Sequence, residues 1–199
     1  MAITWNNIRS PRVIIPILIV VSIGLLVNPA YIVKEALFDL QKEESDPLSS
    51  FAAGEKMEPN MVVIDYLKIR APIQFVTERN ESAFQKSLIN GVVHYPGTAQ
   101  VGTNGNPFIF GHSSDYIWSK GKYKTVFALL PKIKKGDTII ASDSRGNKFV
   151  YRVTEIAVVS PNATKYLDQY EYKKKMLTLQ TSYPVGTAFR RFIAVAEMI

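Results

Sequence analysis

The side chains able to do chemistry in this chain are few, and three of them follow one another at short apolar runs. Ser182 comes after the β-prone run MLTLQT, His112 comes after PFIFG, and Arg190 and Arg191 lie eight and nine residues beyond Ser182. Acyl transfer requires a nucleophile, a proton carrier and a donor for the developing oxyanion. A hydroxyl, an imidazole and a guanidinium supply one each, and either arginine can offer two parallel donors to a carbonyl. Asp115, three residues past His112, is available to orient the imidazole. Spacing alone does not join these groups, because isolated serines, histidines and arginines with ordinary packing or solvated roles occur in most proteins.

The inventory also excludes chemistry. The chain has no cysteine, so disulfides, thiolate metal sites and a thiol nucleophile are all absent. Its two histidines, His94 and His112, are too few for an all-histidine zinc site, although they could join carboxylates in a mixed one. No metal site or cofactor is expected. Asp115 and Glu155 form no recognisable liganding run, which leaves calcium dependence open. Neither SxxK nor GxSxG is present, which weighs against a penicillin-binding or serine-hydrolase mechanism.

From Met61 onward the chain consists of short strands punctuated by turns. MVVIDYLKI has strand character, and RAPIQFV continues it after a bend at Pro72. Residues 81–89, ESAFQKSLI, fit a short helix with Asn80 as its cap and Asn90 and Gly91 as its end. PFIFG is a compact strand stopping at His112, and TVFALLPKI combines an apolar turn with the start of a strand. GDTIIASD and NKFVYRVTEIAVVS form a hairpin across DSRG. PNATKYLDQY is a turn with a short helix, and MLTLQTS and RFIAVAEMI supply the last two strands. Seven or eight strands with little helix predict an all-β, closed barrel over 61–199.

Ahead of that domain, 21 consecutive residues, Val13 to Val33, carry no charge. At about 1.5 Å per residue a helix of this length reaches about 30 Å, enough to cross a hydrocarbon core. Residues 13–33 are therefore read as a single transmembrane anchor in contact with membrane lipid, and a buried soluble helix is the lesser alternative. Asn28 and Pro29 suggest that the apolar helix ends or bends there. Residues 1–12, with Arg9 and Arg12, form the cytoplasmic flank, and charge bias places the domain outside the cell. Residues 34–60 are an amphipathic segment followed by a polar linker. The formal net charge is +7. The runs at Lys132, Lys134 and Lys135 and at Lys173–Lys175 are read as solvated, and no aromatic residue recurs with lysine in a nucleic-acid pattern.

Two segments carry a family resemblance. TLQTS-YPVGTAFRRF is similar to the sortase signature, in which a TLxTC strand is followed by a loop and an arginine strand. NGVVHYPGTAQVGTNGNPFIFGHSSD resembles the region in which an HYPGTA-like stretch precedes a glycine-histidine pair. The resemblance covers roughly residues 60–198, and an N-terminal anchor is usual in the family. It implies that Ser182 stands at the catalytic cysteine position, His112 at the catalytic histidine and Arg191 at the conserved arginine. His94, Asp115, Thr181 and Arg190 are expected to bind substrate or orient the catalytic groups, although a packed, hydrogen-bonded role is the ordinary alternative for His94.

Sortases cleave an LPxTG-like sorting signal on surface proteins and pass the acyl chain to an amine of the cell wall or of another subunit. Serine departs from that pattern at its most important atom, because a hydroxyl is a far weaker nucleophile than a partly ionised thiol. An impaired or inactive transpeptidase, a non-catalytic peptide-binding module and a serine hydrolase or acyltransferase all remain open at this point. A native serine and an engineered cysteine-to-serine exchange fit equally.

Overall fold

The computed structural model describes residues 29–40, 56–115, 119–169 and 173–199. The chain begins there with a helix, α1 (Pro29–Leu40), followed by strands β1 (Met61–Ile64) and β2 (Ile69–Phe75), helix α2 (Glu81–Leu88), and strands β3 (Val92–His94) and β4 (Phe108–Phe110). Strands β5 (Thr138–Ser142), β6 (Lys148–Val159), β7 (Met176–Tyr183) and β8 (Arg190–Met198) complete it. The eight strands close into a barrel in the order β1-β2-β3-β4-β7-β8-β6-β5. The expected closed all-β barrel with short helices is what forms.

Local chemistry accounts for the elements. In β2, Ile69, Ala71 and Ile73 are buried while Arg70 is exposed, the two-residue alternation of a strand with one face on a core. Asp143 Oδ1 accepts the N–H groups of Arg145 at 2.8 Å and Asn147 at 2.9 Å, which fixes the tight connection between β5 and β6. Asn80 caps α2 by accepting the Ala83 N–H at 2.9 Å. The barrel interior is filled by fully buried Leu177, Leu179, Ile109, Ile139 and Phe127, with Tyr151 among them.

Three expectations change. MVVIDYLKI is not one strand: a 3-10 turn at Asp65–Leu67 and a left-handed Lys68, φ 52°, reverse the chain, so β1 and β2 pair antiparallel from Met61↔Pro72 to Ile64↔Ile69. Pro72 lies within β2 and does not bend it, because it sits opposite Met61 at the end of that pairing. After Leu130–Lys132, a 3-10 turn, no strand begins until Thr138. Lys134 N–H donates to Asp137 Oδ2 at 2.6 Å, closing a turn over the intervening residues.

Residues 13–28 of the expected anchor and 41–55 of the expected linker lie outside the described residues. Among the described residues no helix is long and apolar enough to cross a membrane. Helix α1 runs across the expected boundary at 33/34 and lies against the barrel. Tyr31 and Phe38 pack on the core, Lys34 Nζ donates to the Thr125 carbonyl at 2.8 Å, and Lys132 Nζ lies 3.0 Å from Glu35 and 3.8 Å from Asp39.

Candidate active site

Strands β7 and β8 form an antiparallel hairpin whose register places Ser182 directly opposite Arg191 and Tyr183 opposite Arg190. On the other side of β7, β4 runs parallel to it, with Phe108↔Thr178, Ile109↔Leu179 and Phe110↔Gln180 paired. Continuing that ladder, Gly111 N–H donates to the Gln180 carbonyl at 3.1 Å, so the chain carries His112 out beside the end of β7 that holds Ser182. Thr181 is buried, and its Oγ1 donates to the Gly111 carbonyl at 2.8 Å. The His112 carbonyl in turn accepts the Phe127 N–H at 2.9 Å, so the histidine backbone is held from both sides. Gly111 permits this closeness: a Cβ there would lie 2.8 Å from Phe127 and 2.9 Å from Val92.

Ser182, His112 and Arg191 all line one pocket of about 420 Å³. Its other walls come from α2 through Glu81, Phe84 and Gln85, from Tyr95 and Phe110, and from residues 161–164. Sequence reading missed these walls. Phe84 and Leu88, four residues apart on α2, both face the pocket, and their helical spacing was the signal that could have marked that face.

The imidazole of His112 is about four-fifths covered, and its Nε2 lies 4.0 Å from Asp115 Oδ2. Burial lowers its pKa below the ordinary histidine value, while the negative charges of Asp115 and Glu81 oppose that shift. The ring is thus neutral near pH 7 and able to accept a proton. Asp115 Oδ1 also accepts the Ser119 hydroxyl at 2.7 Å. The Arg191 guanidinium donates to the carbonyls of Ala188 at 3.0 Å and Arg190 at 3.1 Å. Both bonds use Nη1, one nitrogen of a group that carries five donors.

The remaining candidates separate from these. Arg190 is exposed and stands beside Tyr183, and it is not among the pocket-lining residues. His94 is buried outside the pocket. Its Nε2–H donates to the Ala99 carbonyl at 2.7 Å with Thr98 Oγ1 at 3.2 Å, and its ring lies 5.1 Å from that of Phe75. Arg190 thus stands on the surface beside the β7–β8 hairpin and His94 pins the turn that follows β3, and neither lines the pocket. Among the described residues no group of three or more histidines, aspartates or glutamates is placed to hold a metal.

The domain profile described as Sortase domain matches residues 62–199. No curated protein matches the chain. Among solved structures, a lid mutant of sortase A from Corynebacterium diphtheriae is similar at 26% identity and a TM-score of 0.58, over 73% of this chain and 72% of that one. A sortase D5 transpeptidase of Clostridium perfringens is similar at 24% identity and a TM-score of 0.57, over 89% and 99% of the two chains. Sortase C from Clostridium perfringens, solved with the C-terminal cell wall sorting motif, shares the fold at 22% identity and a TM-score of 0.57, over 83% of each chain.

Proposed function

This chain belongs to the sortase family of transpeptidase enzymes, and from that premise we propose that its pocket is a sortase acyl-transfer site in which Ser182 occupies the nucleophile position. The observation that carries the proposal is the register that sets Ser182 against Arg191 on a pocket also lined by His112. In this reading a sorting peptide of the LPxTG type lies in the pocket with its scissile carbonyl at Ser182. Arg191 donates to that carbonyl, and His112 moves the proton between nucleophile, leaving amine and incoming amine acceptor. Asp115 and Thr181 act through His112, one by charge and one by fixing the strand before it. The barrel stands outside the cell, tethered by the uncharged run that leads into α1.

The chain's lack of cysteine means that no thiol chemistry is its own. A serine hydroxyl stays protonated near neutral pH and attacks far more slowly than a thiolate unless a base is held against it, so the serine form is expected to turn over poorly. Incubating the full chain and its Ser182→Cys variant with sorting peptides and an amine acceptor tests this. The cysteine variant is expected to cleave and transfer while the parent binds peptide with little or no cleavage. Failure of the cysteine variant across a broad peptide set would refute the assignment. Saturable peptide binding by both forms without an acyl intermediate would instead favour a peptide-binding module, the reading that Ser182 itself motivates.

A further inference from the structure

Helix α1 carries apolar residues on its outer side as well as on its inner one. A surface helix ordinarily turns its apolar side to the core and its charges to water. Here the side that faces the protein is mixed: Tyr31 and Phe38 pack on the core, Lys34 donates to the Thr125 carbonyl, and Glu35 pairs with Lys132, while Asp39 at the edge reaches Lys132 and stays largely exposed. Glu35 is firmly held as a carboxylate, because hydrogen bonds from Tyr31 and Lys132 and the Lys132 charge outweigh the cost of its partial burial. The opposite side carries Val33, Ala36, Leu37 and Leu40, which follow one another at three- and four-residue spacing. The three large members of that stripe are 54%, 50% and 82% exposed.

We infer that this outer stripe of α1 is seated in the surface of an anionic bilayer and sets the height and tilt of the barrel above it. Two observations identify lipid as the occupant. The helix begins at Pro29 inside the uncharged run Val13–Val33, so the stripe is continuous in sequence with the most apolar segment of the chain. The contacts of Lys34 and Lys132 also bring two basic segments beside the helix, and each presents exposed lysines, Lys120 and Lys122 in one and Lys134 and Lys135 in the other. An exposed apolar helix stripe together with exposed lysines in the segments that touch the helix is the composition of a surface that meets an anionic headgroup region. The arrangement reaches the pocket through short connections: Thr125 lies two residues before Phe127, whose N–H holds the His112 carbonyl.

The absence of cysteine makes the test clean, because a cysteine placed on the helix is the sole thiol to label. The full chain bearing Leu37→Cys or Leu40→Cys is coupled to an environment-sensitive fluorophore and incorporated into vesicles of phosphatidylglycerol and phosphatidylcholine. Asn104→Cys, at an exposed turn, serves as the aqueous reference. The helix labels are expected to emit further to the blue and to be quenched several-fold more by shallow spin-labelled lipid than the reference. Lys134→Glu with Lys135→Glu, or omission of phosphatidylglycerol, is expected to reduce that quenching. Helix labels that behave like the reference would overturn the inference, as would labels shielded only at high protein density and unquenched by lipid, which would mark contact between copies. Retention of the chain in vesicles through an alkaline wash reports the anchor separately, so failure of the anchor and failure of the stripe are distinguishable.

Discussion

At the scale of single residues, the site is governed by how a buried imidazole is supported. Burial pulls the His112 pKa down, and Asp115 and Glu81 push it up. Replacing Asp115 by Asn removes a charge that favours the imidazolium, so His112 in the Asp115→Asn chain is expected to titrate lower still. A histidine NMR titration of the full chain in micelles checks this, and an unchanged or raised value would show that Asp115 does not act on the ring. His94 shifts in the same direction, again chiefly through burial. Both histidines thus bind protons more weakly folded than unfolded, and stability is expected to fall as pH drops through the unfolded histidine value of about 6.5. Thr181 offers a second test. Thr181→Val keeps the shape but leaves the Gly111 carbonyl without its hydroxyl, a loss of about 1 to 2 kcal/mol in denaturant unfolding, whereas Thr181→Ser retains the donor. That a strand carrying Ser182 returns through a short loop to an arginine strand was readable in the sequence, while the choice of Arg191 over Arg190 came from the signature and is set by the hairpin register. The arrival of His112 beside them was not readable from the residues themselves, because it depends on a parallel pairing between segments 70 residues apart, and only the two-part signature pointed to it.

At the scale of elements, turn chemistry decided what could be read. Asp143 to Gly146 announces its hairpin, and Asn80 announces α2, because each uses a side chain suited to the backbone it meets. The reversal at Asp65–Lys68 gives no such notice: it puts a lysine in the left-handed region, within a run whose apolar residues suit a continuous strand. The docking of α1 was hidden for a related reason, since its partners Thr125 and Lys132 lie about 90 residues away in the chain. A strong test at this scale is Gly91, at the exit of α2. A Cβ at Gly91 would lie 2.1 Å from the Pro72 carbonyl oxygen in β2, and backbone cannot swing aside as a side-chain end can. Gly91→Ala is expected to cost about 1 to 3 kcal/mol or more and to lower the thermal midpoint. Because α2 forms a wall of the pocket, peptide binding by the Ser182 chain is expected to weaken with it.

At the scale of the whole molecule, strand number and barrel closure followed from composition and spacing, while strand order did not, since nothing local says that β8 lies between β7 and β6. One polar contact crosses the barrel to join distant parts of it. The Tyr151 hydroxyl, buried on β6, accepts the Gly102 N–H from the β3–β4 connection at 2.9 Å, and burial pushes its pKa up to about 12. Tyr151→Phe leaves that N–H unpaired and is expected to destabilise the fold by about 1 to 3 kcal/mol, measurable by urea unfolding with the Ser182 pocket otherwise intact.

The insertion of β8 between β7 and β6 also fixes when the pocket can first be complete during synthesis. A nascent chain that has reached residue 170 already holds His112 but has yet to acquire Ser182 and Arg191, and its sheet remains open between β4 and β6. A translation product that stops before β7 therefore holds the imidazole without the hydroxyl and the guanidinium that share its pocket. The pocket is complete only when β7 and β8 fill the gap between β4 and β6.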